Sequence, residues 1–108
     1  MSRFNNALDH IQATIAARKG GDISASWTAK LLADPKLAAK KLGEEAVELV
    51  QASALADKDA MAAESADLIY HLLALLAAQG VELDAVAAKL EARQGQSGFA
   101  EKASRPKA

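Results

Sequence analysis

A chain of 108 residues with 51% hydrophobic residues, 4% aromatic residues and a net charge of −1 has room for one small domain, and its wealth of Ala and Leu favours helix over sheet. The balanced charge gives no electrostatic case for nucleic acid or a membrane surface as partner. The absence of cysteine excludes disulfides, zinc–thiolate centres and a thiol nucleophile, and fits a reducing, cytoplasmic setting.

Met1 to Asn6 contain no apolar signal core. Phe4, Leu8, Ile11 and Ile15 recur at helical spacing, with Arg18 and Lys19 at the C-terminal end and Gly20-Gly21 as the stop. Gly20 to Ala25 reads as a connection, after which Ser26 caps a short helix through Leu32 or Ala33. Trp27 is expected to be a packing anchor for that helix rather than a platform for a ligand. Asp34-Pro35, an N-cap followed by Pro at the first helical position, starts a long third helix. Its apolar face is expected at Leu42, Ala46, Leu49, Val50 and Ser53. A charged stripe of Lys41, Glu44, Glu45 and Glu48 lies away from that face, with Glu45 nearest the edge and Glu44 furthest, pointing outward or towards a neighbouring chain.

Asp57-Lys58-Asp59 marks a turn and the cap of a fourth helix, in which Leu68, Ile69, Leu72, Leu73, Leu75 and Leu76 leave the surface apolar nearly all round. One narrow stripe is polar: Glu64, Asp67 and His71. The run from Leu68 to Ala78 is too short to span a bilayer. Gly80 ends this helix, and Leu83, Val86, Ala87 and Leu90 begin a fifth that stops near Arg93 and Gly95. From Gln96 to Ala108 periodicity is lost and disorder is expected, with Lys102, Arg105 and Lys107 as basic groups. The expected architecture is all-α: a small bundle of four to five helices over residues 1–95, then a tail over 96–108. One short chain has few partners to cover the fourth helix, so a homodimer is expected to complete the bundle.

The chemistry-bearing stretch runs from Glu44 to Asp67. Side chains three and four apart on a helix are neighbours, so Glu44, Glu45 and Glu48 share one stripe, and Glu64 and Asp67 another. In an antiparallel hairpin the two stripes can face each other. Carboxylates gathered this way repel, and burying one unpaired is costly. A hard cation such as Mg²⁺ removes the repulsion and commonly takes substrate phosphates as further ligands. The bland alternative is a pair of solvated helix faces, since Glu is a good helix former.

Glu45-x-x-Glu48 and Glu64-x-x-Asp67 resemble the signature of the all-α, MazG-type nucleotide pyrophosphohydrolases. Three segments narrow the resemblance to the phosphoribosyl-ATP pyrophosphatase family of histidine biosynthesis: Ser26-Trp27-Thr28-Ala29-Lys30-Leu31-Leu32, Lys40-Lys41-Leu42-Gly43-Glu44-Glu45-Ala46-Val47-Glu48 and Asp67-Leu68-Ile69-Tyr70-His71-Leu72-Leu73. The likeness extends from about Phe4 to Gly95. It implies a Mg²⁺-dependent cleavage of phosphoribosyl-ATP between the α and β phosphorus atoms, giving phosphoribosyl-AMP and pyrophosphate. On that basis Glu45, Glu48, Glu64 and Asp67 are the expected metal ligands. Glu44 and Glu45 are the expected catalytic carboxylates, with Glu44 as an outer ligand or the group that orients water. Ser26, Thr28, Lys30, Lys40, Lys41 and Arg93 are the expected substrate contacts. His71 is either a packed histidine or a group that orients Asp67. A housecleaning nucleoside triphosphate pyrophosphohydrolase would share the acidic motif without needing the Ser26–Leu32 segment. A di-iron carboxylate bundle would need Glu-x-x-His pairs, which Glu48 and Glu64 lack. A non-enzymatic helical dimerisation module is the third alternative.

Overall fold

The computed structural model describes residues 2–95 and 98–106. Among them run six helices and no strand: α1 (Arg3–Arg18), α2 (Trp27–Ala33), α3 (Pro35–Ala54), α4 (Lys58–Ala78), α5 (Leu83–Ala92) and α6 (Gly98–Ser104). The all-α expectation holds, and the first five helices fall close to where the sequence places them. The sixth does not: Gly98–Ser104 is helical where no regular structure was expected. Its Phe99 is 90% exposed, so a local run of helix formers rather than burial of the ring accounts for it. Lys107, one of the tail's basic groups, lies outside the described residues.

The helix starts follow from side-chain caps. Ser2, Ser26, Asp34 and Asp57 each accept a hydrogen bond from the backbone N–H three residues on, satisfying a donor that the helix itself leaves unpaired. The helix ends are equally local. At the end of α4, Gly80 takes a left-handed φ of 71°, and Val81 N–H donates to the Leu76 carbonyl at 2.8 Å. This is the backbone reversal that favours glycine.

The end of α3 repeats that reversal with Ala56, at φ 53°. Ala56 N–H donates to Ser53 (3.0 Å) and Asp57 N–H to Ala52 (3.2 Å). Asp57 is also the N-cap of α4. One residue therefore closes one helix and opens the next, and α3 and α4 form a tight antiparallel hairpin.

This hairpin is the largest interface in the molecule, and α1, α2 and α3 all pack on α4. Leu31, Ala38 and Ala74 are buried at the centre, with Leu37, Tyr70 and Leu75 against them. The small side chains Ala38, Ala52 and Ala74 let α3 and α4 approach closely. The packed stripe of α3 runs Ala38, Leu42, Glu45, Leu49, Ala52, of which Ala38 and Ala52 are buried and the others half-buried; the expected Leu42, Ala46 and Leu49 are half-buried, but Val50 is 68% exposed and Ser53 is exposed. The alternating steps of four and three keep one seam facing a partner helix along its length. They carry a glutamate into the middle of that seam. The apolar run from Leu68 is short, but α4, with 21 residues and an 18-residue stretch of mean hydropathy 1.3, is long and apolar enough to cross a membrane by length and composition. That helix also carries Glu64, Asp67 and His71 and is the element on which three others pack.

Candidate active site

The seam between α3 and α4 brings together acidic groups separated in sequence by the turn at Asp57. A carboxylate oxygen from each of Glu45, Glu48 and Glu64 lies within 4.8 Å of the other two. Oε2 of Glu45 and Oε2 of Glu64 are buried and accept no hydrogen bond. Buried acceptors left unpaired are costly, so the arrangement demands protons or a cation. The electrostatics say the same. Hydrogen bonding to Glu48, possible only while one carboxyl keeps its proton, and then burial push Glu64 up to about 7. Burial and then Glu48 raise Glu45.

Asp67, one turn along α4, does not join the three-glutamate group, though its charge acts on Glu45. Its backbone carbonyl accepts the Nδ1–H of His71 at 2.8 Å. That bond fixes the buried imidazole but does not orient the Asp67 carboxylate. The Nε2 atom of His71 is buried without a partner.

Glu44 is exposed and stands outside the three-carboxylate group. Its Oε2 pairs with Lys41 Nζ at 3.0 Å, which holds the Glu44 carboxyl below the usual range and raises Lys41. Lys40 is exposed and its charge also favours ionised Glu44. On the α2 side, Lys30 Nζ and Lys41 Nζ lie 5.8 Å and 5.9 Å from the centroid of the Trp27 ring. Trp27 is 44% exposed, so the packing anchor expected of it is instead a half-open aromatic surface next to the acidic seam.

Ser26 spends its oxygen on capping α2 through Ala29 N–H. Thr28 Oγ1 and Tyr70 OH share a hydrogen bond of 2.6 Å, which ties α2 to α4 one turn beyond Asp67. Sequence reasoning missed Tyr70, although it is the chain's single tyrosine and stands three residues after Asp67. Ser26 and Thr28 also line a cleft of about 470 Å³ with Arg18, Gly21 and Asp22. Arg93 is the C-cap of α5.

The site is a carboxylate cluster in the hairpin of a small all-α protein, with Lys41 and the half-exposed indole of Trp27 nearby. The family model described as phosphoribosyl-ATP pyrophosphohydrolase matches residues 8–94. The chain is 69% identical over 103 residues to a phosphoribosyl-ATP pyrophosphatase of Caulobacter vibrioides (strain NA1000 / CB15N), covering 95% of this chain and 96% of that one. It is 62% identical over 106 residues to the protein of that name from Caulobacter sp. (strain K31), covering 98% and 99%. The match to that of Ruegeria pomeroyi is 54% over 101 residues, covering 93% and 96%. The chain belongs to the phosphoribosyl-ATP pyrophosphohydrolase family.

Proposed function

We propose that this chain hydrolyses phosphoribosyl-ATP to phosphoribosyl-AMP and pyrophosphate, as a cytoplasmic enzyme of histidine biosynthesis that needs Mg²⁺ and works as a homodimer. Family membership over nearly the whole chain supports the reaction. The observation that carries the cation requirement is the pair of buried, unpartnered glutamate oxygens within a three-carboxylate group. An all-oxygen donor set of that kind fits a hard divalent ion. Glu45, Glu48 and Glu64 would hold Mg²⁺, with Asp67 completing the set. When bound, the ion supplies charge neutralisation and polarises the phosphorus under attack.

The chain's own residues account for the remaining work. Lys41 and Lys30 border the cluster and offer ammonium groups to the triphosphate oxygens, and Lys40 adds charge at longer range. As Lys41 turns to phosphate it releases Glu44, which stays ionised and orients the attacking water by accepting its hydrogen bond. The Thr28–Tyr70 bond holds α2, and with it Lys30, at a fixed distance from the carboxylates. Ser26, Thr28 and Arg93 remain candidates for the ribosyl and phosphate groups.

The homodimer reading rests on uncovered apolar side chains, among them Val47 at 56%, Val50 at 68% and Leu72 at 41% exposure. A second copy is the simplest cover for them. The deciding experiment is turnover of phosphoribosyl-ATP with and without Mg²⁺, with pyrophosphate measured as product. Equal or better cleavage of ATP or a deoxynucleoside triphosphate would move the assignment to a housecleaning pyrophosphohydrolase.

A further inference from the structure

Trp27 stands at an unusual place. Its indole is 44% exposed, yet two lysine ammonium groups from different helices lie within 6 Å of its centroid, Lys30 of α2 at 5.8 Å and Lys41 of α3 at 5.9 Å. Lys41 is in turn 3.0 Å from Glu44, whose neighbours Glu45 and Glu48 form the acidic cluster. The ring is thus an open aromatic face, within reach of cations, beside the groups proposed to handle the triphosphate.

Aromatic faces attract cations through the ring quadrupole, and indole does so most strongly. They also stack bases without regard to sequence. Resting on the proposed reaction, we infer that Trp27 is the specificity-determining residue for the base, stacking on the N1-substituted adenine of the substrate and favouring it over the adenine of ATP. At the base, the chemical difference is charge. A substituent on N1 turns the adenine into an amidine that carries a proton near neutral pH, whereas the adenine of ATP is neutral. The carboxylates and a metal would read only the triphosphate oxygens, which both nucleotides share. The indole reads the base. As Lys30 and Lys41 turn to phosphate oxygens, they leave the ring, and the cationic base takes the place of the ammonium groups. One cation at the ring is exchanged for another, so the site loses little by releasing its lysines.

The test compares kcat/KM for phosphoribosyl-ATP and ATP in the wild-type chain, Trp27→Phe and Trp27→Leu, all with Mg²⁺. Leucine has no π face to attract a cation. Its substitution is expected to lower the preference for phosphoribosyl-ATP by about fivefold to thirtyfold, mostly through KM, with phenylalanine intermediate. A second readout needs no variant. Trp27 is the single tryptophan, so its fluorescence should be quenched more by phosphoribosyl-AMP than by AMP at equal concentration. Circular dichroism and light scattering accompany each variant. If the leucine variant does not fold, the phenylalanine ratio and the quenching decide. An unchanged preference, equal quenching by the two nucleotides, or a variant that changes only the oligomeric state overturns the inference while leaving the reaction in place. A wild-type chain that cleaves no phosphoribosyl-ATP removes the proposed function itself, and the inference with it.

Discussion

At the scale of single residues, the three glutamates of the seam set the behaviour. Crowding and burial raise Glu45 and Glu64 above the ordinary carboxylate range. Glu64, raised to about 7 from its ordinary 4.5, binds more protons folded than unfolded between those values. Stability of the metal-free protein should therefore fall as pH rises through that window. Thermal melts at pH 5 and pH 8 test this: the midpoint should be lower at pH 8, and millimolar Mg²⁺ should restore it. A metal-free midpoint that stays level or rises with pH would refute the crowded-carboxylate account. Glu48→Gln and Asp67→Asn should each abolish most turnover while keeping helix content. Each removes a repelling charge, so metal-free stability should hold or rise slightly. Full activity in either variant would remove that side chain from the metal set. Asp67→Asn is the more informative, because its carboxylate is not among the three that converge. The motif was readable in sequence because Glu-x-x-Glu and Glu-x-x-Asp spacing puts carboxylates on one stripe. The burial of Glu45 was not, because a glutamate on a packed seam looks the same in sequence as one at its edge.

At the scale of elements, two local devices hold the α3–α4 hairpin and its neighbour. Ala56 sits in the left-handed region, where a Cβ is penalised. Ala56→Gly relieves that strain but adds freedom to the unfolded chain, for a net gain of roughly 0.5–1 kcal/mol. That corresponds to a melting midpoint higher by about 2–8 °C. No rise would mean the strain is already absorbed by the turn. The Thr28–Tyr70 bond should be worth about 1 kcal/mol. Tyr70→Phe and Thr28→Val should each lose about that much, and the double variant little more than either alone. Additive losses would show that the two hydroxyls act separately. The Asp34-Pro35 start and the Gly80 stop were legible because capping chemistry is local. The α2–α4 link was not, because it joins positions 42 residues apart with no pattern connecting them.

At the scale of the whole molecule, the question is what covers the apolar surface that one chain leaves open. Val47 and Val50, three residues apart on α3, lie on one exposed face of the hairpin. If a second copy covers them, Val50→Glu should shift light scattering toward the monomer at micromolar concentration without loss of helix. A wild-type chain that is already monomeric and fully helical would exclude the homodimer. The fold class was legible from composition alone. The need for a partner was inferred from the all-round apolar character of α4, which the low burial of that helix leaves in place.

The doubled duty of Asp57 has a consequence for how this chain can change over generations. Its turn contains no spare residue. Inserting or deleting one position there would shift the register of α4 against α3 and move Glu64 away from Glu45 and Glu48 while leaving every side chain chemically intact. Point changes in the turn cost at most some stability, whereas a change of length erases the site. Viable insertions and deletions are therefore expected in the Gly20–Ala25 connection or after Gly80, and the spacing from Glu45 to Glu64 is expected to be invariant in any active descendant of this sequence.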